Sequence, residues 1–473
     1  MSLTRRAFIQ SAGALTGSIA LPFTHASAAS KVPFHLKAGV FRQTVRATGE
    51  PSEVWGFNGS VPGPVLRFKQ GEMAHMRVLN RLPRSTTVHW HGLRVPNAMD
   101  GVPMVTQDPI PTGGGFDYRF RCSDAGTYWY HPHQSSFEQV PRGLYGMFIV
   151  DEDKPLQVDR EVLWVLSDFK LDSNNQPVED FGKILDFGSG GRLGNTFAIN
   201  GTAAGSHRAL KLRPGERIRL RLLNAASARI FLLDFTGHEP WVVSYDGQGV
   251  VPHRLDGGKL LLGCGQRTDL VLDATQTSGS FAVMDRRNGG TEIARVVYGG
   301  KPVRSKALAA PKAIAPNNLT EPNLDRATDH FVVFEGGILG APAIAMVDGK
   351  ALDIKTIMER HGLTWSMNYT AQHEHAMMHE PLFRLRRGEH ATIKMINNTD
   401  FEHPMHMHGH FFKVLAMNDQ KLARADWRDT VMMGAHSTCD IAFVAENVGE
   451  WMFHCHILDH AAGGMMGTVA VEE

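Results

Sequence analysis

The sequence predicts an all-β protein made of three consecutive β-sandwich domains. Three observations carry that reading. A chain of 473 residues is long enough for about three domains. One pattern is written three times, as LRFKQGEMAHMRVLN (Leu66–Asn80), LKLRPGERIRLRLLN (Leu210–Asn224) and FRLRRGEHATIKMIN (Phe383–Asn397); each copy is a Gly-Glu turn followed by an alternating strand that ends in Asn. Elsewhere short segments alternate apolar with polar residues, Gly, Pro, Asn and Asp punctuate them, and long helical periods are scarce. That is the pattern of antiparallel sandwiches or barrels.

The chain opens on MSLTRRAFIQSAGALTGSIALPFTHASAAS. Arg5 and Arg6 precede a mildly apolar run, Ala12 to Leu21, and a small-residue site, Ala26-Ser27-Ala28. Residues 1–28 read as a cleaved export leader. TRRAFI resembles a twin-arginine signal, whose receptor passes folded proteins, so the mature chain is expected in the periplasm; the competing reading is a general secretory signal. The apolar run is too short for a permanent membrane span, and no later segment is long and apolar enough. The three domains then occupy residues 29–155, 156–315 and 316–473. Their boundaries fall near Asp151 to Arg160 and in the Pro-, Ala- and Lys-rich stretch KPVRSKALAAPKAIAPNN (Lys301 to Asn318).

Lys+Arg is 49 and Asp+Glu is 48, so no basic face is advertised and nucleic acid is excluded as a partner. Histidine, with 24 copies, and methionine, with 21, are abundant, and both can bind metal. Four cysteines, Cys122, Cys264, Cys439 and Cys455, form no close-spaced framework. Cys122, Cys264 and Cys439 read as free buried thiols, and spacing defines no pairing among them.

The histidines are placed by the repeat. Nine residues on from the repeat Asn comes His89 in the first copy, inside HWHG, and His406 in the third, inside HPMHMHGH; the same count in the middle copy reaches Leu233, with Phe235 two further on. A second motif, GTYWYHPH (Gly126–His133), parallels GEWMFHCH (Gly449–His456), and middle-copy GSFAVMDR (Gly279–Arg286) has no histidine. The outer domains thus carry four His-x-His pairs: His89/His91, His131/His133, His406/His408 and His454/His456. On a strand, residues two apart share a face. Eight imidazoles converge if the first and third domains face each other, with the middle domain as connector.

Cys455 lies between His454 and His456 and so points the other way, into the third domain. His403 precedes the His406/His408 pair, His460 follows Cys455 by five, and Met465 follows His460 by five. Two histidines, one cysteine and a weak axial methionine make a blue-copper arrangement. Cys455 then links an electron-accepting metal to a histidine-held cluster.

At HWHG, HPH, HPMHMHGH and HCHILDHAAGGMM the chain is similar to three-domain multicopper oxidases of the bacterial laccase-like group. The resemblance implies three cupredoxin-like Greek-key sandwiches and four copper ions, one type 1, one type 2 and two type 3. It implies His403, Cys455, His460 and Met465 for type 1, and His89 and His406 for type 2. One type 3 copper would take His91, His131 and His456, the other His133, His408 and His454. Asp100, in HGLRVPNAMDG, matches an acidic residue that helps deliver protons to oxygen. Many bacterial relatives carry an acid right after the second type 1 histidine; Ala461 stands there, and Asp459 nearby is expected to point elsewhere on a strand.

The implied reaction reduces dioxygen to two waters with four electrons, taken one at a time from a phenol, an aromatic amine or a metal ion. A thioether at the axial position lowers the copper potential and favours easily oxidised donors. The stretch NYTAQHEHAMMHEP adds His373, His375, Met377, Met378 and His379, soft ligands that suit cuprous ion, so oxidation of cuprous ion or manganese for copper tolerance is the alternative; the competing reading is a loop with core methionines. More remote readings are a copper-free cell-envelope assembly protein, a copper store and a two-domain copper nitrite reductase.

Overall fold

The structure is a computed structural model and describes residues 23–25, 33–205, 207–287, 289–306, 308–339, 344–373 and 380–473. Most of the leader, and His375, Met377, Met378 and His379, lie outside the described residues. Each repeat copy sits in its own pair of sheets. The first pair is a four-stranded sheet, in order Ser52–Phe57, Phe34–Gln43, Met73–Asn80 and Gly115–Arg121, and a five-stranded one, Phe23–His25, Val65–Lys69, Gly146–Asp151, Gly126–His131 and His89–His91. One apolar core fills the space between them, with Leu36, Met76 and Val78 from one sheet against Leu66, Trp90 and Phe148 from the other. Phe23–His25, inside the segment read as leader, runs parallel to Val65–Lys69 at the sheet edge.

The middle and third copies repeat four strands of the second sheet, and each adds a fifth beyond the counterpart of His89–His91 where the first copy has Phe23–His25 at the opposite edge. In the third the order is Phe383–Arg386, Met466–Glu472, Gly449–Cys455, His403–Met407 and Thr430–Met433. Pairing is mixed, where the sequence predicts antiparallel strands. Phe34–Gln43 runs parallel to Met73–Asn80 and Val65–Lys69 parallel to Gly146–Asp151, and both parallel pairs recur in the other copies. The reason lies in the repeat itself: the Gly-Glu turn carries the chain from one sheet to the other, so sheet neighbours are not chain neighbours and need not alternate in direction.

The threefold motif is a hydrogen-bonding device. At each turn the Glu side chain accepts the N–H three residues back, Lys69, Arg213 and Arg386 donating to Glu72, Glu216 and Glu389, each at 2.9 Å. At the strand end the Asn amide knits the following loop. Asn80 Nδ2 donates to the Arg84 and Ile110 carbonyls at 2.8 and 2.9 Å, while its Oδ1 accepts from Leu82 N at 2.9 Å. Asn397 does the same with Phe401 and Gly434, at 2.8 and 2.6 Å, and Thr399 N at 3.0 Å.

The middle copy differs by one residue. Asn224 reaches the carbonyl of Arg229, five residues on, where Asn80 and Asn397 reach four residues on. A one-residue slip turns a strand over. Asp234, not Leu233, therefore occupies the place of His89 and His406: it pairs with Met284 as His89 pairs with His131 and His406 with His454. Leu233 and Phe235 are buried in the middle domain's own core. The count of nine thus lands one residue short there, although the absence of a histidine pair stands.

A second apolar cluster spans the boundary between copies. Val54, Trp129 and Met147 of the first pack with Leu163, Val165 and Leu223 of the middle one, and Leu458 of the third joins them. This packing sets the outer sandwiches against each other. Among the described residues no helix is long and apolar enough to cross a membrane.

Candidate metal centre

One strand pair of each outer sandwich ends at the seam between them. His89–His91 pairs with Gly126–His131, and His403–Met407 with Gly449–Cys455, so each His-x-His pair projects from a strand end into one buried space. All eight imidazoles are buried. His89 stacks on His408 with ring centroids 3.8 Å apart, and His91 on His406 at 3.7 Å. His91, His131 and His456 offer ring nitrogens within 4.8 Å of one another, and so do His133, His408 and His454, and His89, His91 and His406.

Hydrogen bonds outside the cluster decide which nitrogen faces inward. A backbone carbonyl can only accept, so His89 Nδ1 donates to Asp100 O at 2.9 Å, His406 Nδ1 to Asp429 O at 2.8 Å, His131 Nδ1 to Pro132 O at 3.0 Å and His454 Nδ1 to Cys455 O at 2.8 Å. Each leaves Nε2 as the lone-pair nitrogen. His408 Nδ1 donates to the Asp100 carboxylate at 2.8 Å. His91 is reversed: its Nε2 donates to Asp429 Oδ1 at 3.2 Å and Nδ1 faces the cluster. His89 Nε2, His91 Nδ1, His131 Nε2, His406 Nε2 and both nitrogens of His456 are buried without a hydrogen-bond partner. Unpartnered buried ring nitrogens in such number are costly unless a cation completes the lone-pair ones. Burial first, then mutual repulsion, holds His91, His131, His133, His408 and His456 well below the ordinary imidazole range, and His454 at about 3. Neutral imidazoles are the form that binds a transition metal.

Across the strand, Cys455 faces the third domain's core. The short helix Leu458–Ala462 follows and returns His460 to it. Cys455 Sγ is 3.6 Å from His403 Nδ1 and from His460 Nδ1, and those two nitrogens are 3.0 Å apart. The outer nitrogens are held, His403 Nε2 by Thr399 Oγ1 at 2.8 Å and His460 Nε2, which donates to Ser189 O of the middle domain at 2.5 Å. Met465 is fully buried in the same core, its carbonyl accepting Cys455 N–H at 3.1 Å. Trp365 packs on both histidines, at 4.6 Å from His460 and 5.1 Å from His403. Two imidazoles, a thiol and a thioether suit copper, and eight imidazoles beside them suit a copper cluster.

Asp100 lies between the outer domains, its carboxylate 2.8 Å from His408 Nδ1 and 3.2 Å from His89 Nδ1. Asp459 differs from expectation. It sits in the helix rather than on a strand, is fully buried, accepts Arg192 N–H at 3.0 Å, and burial raises its carboxyl to about 7. Ala461 packs with Val102, Met452 and Met466, so that position is apolar. His373 is exposed, with its imidazole shifted below the ordinary range by partial burial and then His361. The four cysteines are free and buried.

Sequence reasoning missed Asp429, Thr430 and Arg267. Thr430 Oγ1 donates to Asp429 Oδ1 at 2.8 Å and lies 3.1 Å from His406 Nδ1. Arg267 of the middle domain donates to both oxygens of Asp429, through Nη1 at 2.9 Å and through Nη2. Burial opposes ionisation of Asp429, but Arg267 outweighs it and holds the carboxyl well below its usual range. Asp429 follows His408 by 21 residues where Asp100 follows His91 by nine, so no shared spacing marked it.

A fold of three such sandwiches with these two adjoining donor groups defines a copper protein, and the comparisons with known proteins agree. Multicopper oxidase family models match residues 40–155, 161–301 and 350–473. The chain belongs to the multicopper oxidase family, oxidoreductases that use oxygen, and its domains are cupredoxin-like. It is 29% identical over 437 residues to multicopper oxidase MmcO of Mycobacterium tuberculosis, covering 86% of this chain and 81% of that one. It is 26% identical to a copper resistance protein A homolog of Pseudomonas syringae pv. tomato, covering 91% of each. The crystal structure of Lac15 from a marine microbial metagenome is 32% identical, with a TM-score of 0.71, 93% of this chain and all of that one being covered.

Proposed function

We propose that this chain is a four-copper, laccase-like oxidase that takes single electrons from phenolic, aromatic-amine or metal-ion donors and reduces dioxygen to two waters. The observation that carries it is the position of Cys455: its sulfur joins His403 and His460 on one side, while the next residues on either side, His454 and His456, enter the two histidine triads on the other. Bound copper supplies a one-electron acceptor at the sulfur group and an oxygen-reducing cluster at the histidines. His403, Cys455, His460 and Met465 would hold the first ion, His89 and His406 the second, and the triads His91/His131/His456 and His133/His408/His454 the remaining two. The covalent path from Cys455 to its histidine neighbours carries charge between the groups. Trp365 and the Ser189 peptide keep water from the sulfur group. Asp100, with its carboxylate beside His408 and His89, is the group that would pass protons to the cluster.

Domains 29–155, 156–315 and 316–473, behind a leader of residues 1–28 that routes the folded chain through the twin-arginine machinery to the periplasm, complete the reading. Cys455→Ser tests it: the variant is expected to fold, to lose its intense blue colour and to lose oxygen consumption with a phenolic dye. A blue, active variant would refute the assignment. Export is tested with Arg5→Lys/Arg6→Lys, which should leave the precursor inside the cell.

The relative named for copper resistance favours a second reading of the donor, cuprous ion (or manganese) in copper tolerance. His373, His375, Met377, Met378 and His379 are the residues it would use. Comparing kcat/KM for cuprous ion and a phenol before and after replacing Met377, Met378 and His379 decides: a selective loss for cuprous ion supports it, and parallel losses point to a loop with a structural role.

A further inference from the structure

Asp100 and Asp429 are counterparts across the seam. Asp100 belongs to the first domain; its carbonyl takes the Nδ1 proton of His89, the first histidine of its own domain's pair, and its carboxylate takes that of His408, the second histidine of the opposite pair. Asp429 belongs to the third domain; its carbonyl takes the Nδ1 proton of His406, the first of its own pair, and its carboxylate takes the Nε2 proton of His91, the second of the opposite pair. Each aspartate therefore orients one imidazole from each outer domain.

They differ in what stands behind them. Behind Asp429 is Arg267, wholly buried, with its guanidinium spread over three domains. Nε donates to the Thr127 carbonyl of the first at 3.2 Å, Nη1 to the Gly265 carbonyl of the middle one at 3.0 Å, and Nη1 and Nη2 to Asp429 of the third. Asp246 braces the arrangement, accepting Arg267 N–H at 3.0 Å and Thr430 N–H at 3.4 Å. Room for the pair is made by Gly92, the glycine of HWHG. A Cβ there would lie 2.5 Å from Asp429 Oδ2, and the residue holds φ at +83°. Among the described residues Asp100 makes no ion pair with an arginine or lysine.

We propose that Arg267 and Asp429 form an interdomain clamp through which the ligand-free middle domain orients His91 and His406, making both positioning residues for the copper cluster. This rests on the four-copper reading above. An arginine fork fixes a carboxylate in two directions at once, which a point charge does not. With Asp429 fixed, the ring of His91 is turned so that Nδ1 faces inward, and His406 is held with Nε2 inward.

The test is copper binding by purified protein, followed through two signals: blue absorption for the Cys455 group, and copper per chain with the paramagnetic signal of type 2 copper for the histidine cluster. Arg267→Met and Asp429→Asn are expected to weaken copper binding at the histidine cluster by about 10- to 100-fold, as loss of an outer hydrogen-bond partner does, while the blue band survives. Arg267→Lys should fall between them and the wild type. The triple variant Arg267→Met/Asp429→Leu/Asp246→Asn removes the buried arginine together with both carboxylates it pairs with, so it separates folding from orientation. If it is blue but short of type 2 copper, orientation is the role. If either it or Arg267→Met binds the full complement with wild-type affinity, the clamp proposal falls. A wild-type protein that is itself colourless would instead sink the four-copper reading.

Discussion

The outer domains and the middle one are built on the same frame and used differently. All three have the Glu-capped turn and the Asn-knitted loop. In the outer two, the loop places a histidine pair at the strand end. In the middle one an extra residue in that loop puts Asp234 there, and Asp234 bonds Arg286 instead. What the middle domain contributes is indirect: the Ser189 carbonyl on His460 and the Arg267 fork on Asp429. On the proposed reading, the metal chemistry depends on a middle domain that need not touch the metal at all.

The largest effect comes from making an outer domain resemble the middle one. His89→Asp/His91→Thr installs the residues of 234 and 236, and oxygen consumption should drop by at least about a thousandfold while the Cys455 group stays blue. Next is acid. Burial holds His454 and His460 at about 3, and others of the set well below the ordinary value. Their folded values are depressed, so in copper-free protein their contribution is complete above about pH 6.5 and is lost as pH falls toward about 3. Hydrogen exchange should show the outer seam losing protection below about pH 6 before the core of the middle domain does.

Smaller and more discriminating are the hub asparagines. Asn80→Ala, Asn224→Ala and Asn397→Ala each strand buried carbonyls and should cost about 1–3 kcal/mol in denaturant unfolding. Only the first and third should also lower copper content; equal copper loss in Asn224→Ala would erase the distinction between the domains. Smallest are the turn glutamates. Glu72→Ala and Glu389→Ala should cost about 1 kcal/mol in the same assay. Glu216→Ala should cost more, because Glu216 is buried and also accepts Arg160 Nε at 2.8 Å.

Much of this was legible because it is written locally. Strand alternation and a repeated turn disclose sandwiches, and two histidines two residues apart on a strand must share a face. The residue between them must then face the other way, which is how Cys455 could be placed without coordinates. What escaped depends on contacts between distant segments. Arg267 reads as a lone arginine opening the strand Arg267–Asp273 until Asp429 is known to lie against it, and a loop one residue longer is invisible to counting because it shows only in the hydrogen bond from Asn224 to Arg229 and the pairing of Asp234 with Met284. Asp459 was misplaced because the strand was extended past Cys455, where the chain turns into a helix.

His91 and Asp429 stand 338 residues apart, His133 and His454 321, and Asp100 and His408 308. A growing chain emerging from the ribosome therefore holds only the first domain's half of the histidine cluster until the third domain is made, and the Cys455 group is begun only at His403. Loop closure over such spans is paid late, when only the last strand remains to be added. Assembly order follows from geometry alone: polypeptide first, ions afterwards, with a prematurely terminated product carrying isolated imidazoles and no cage.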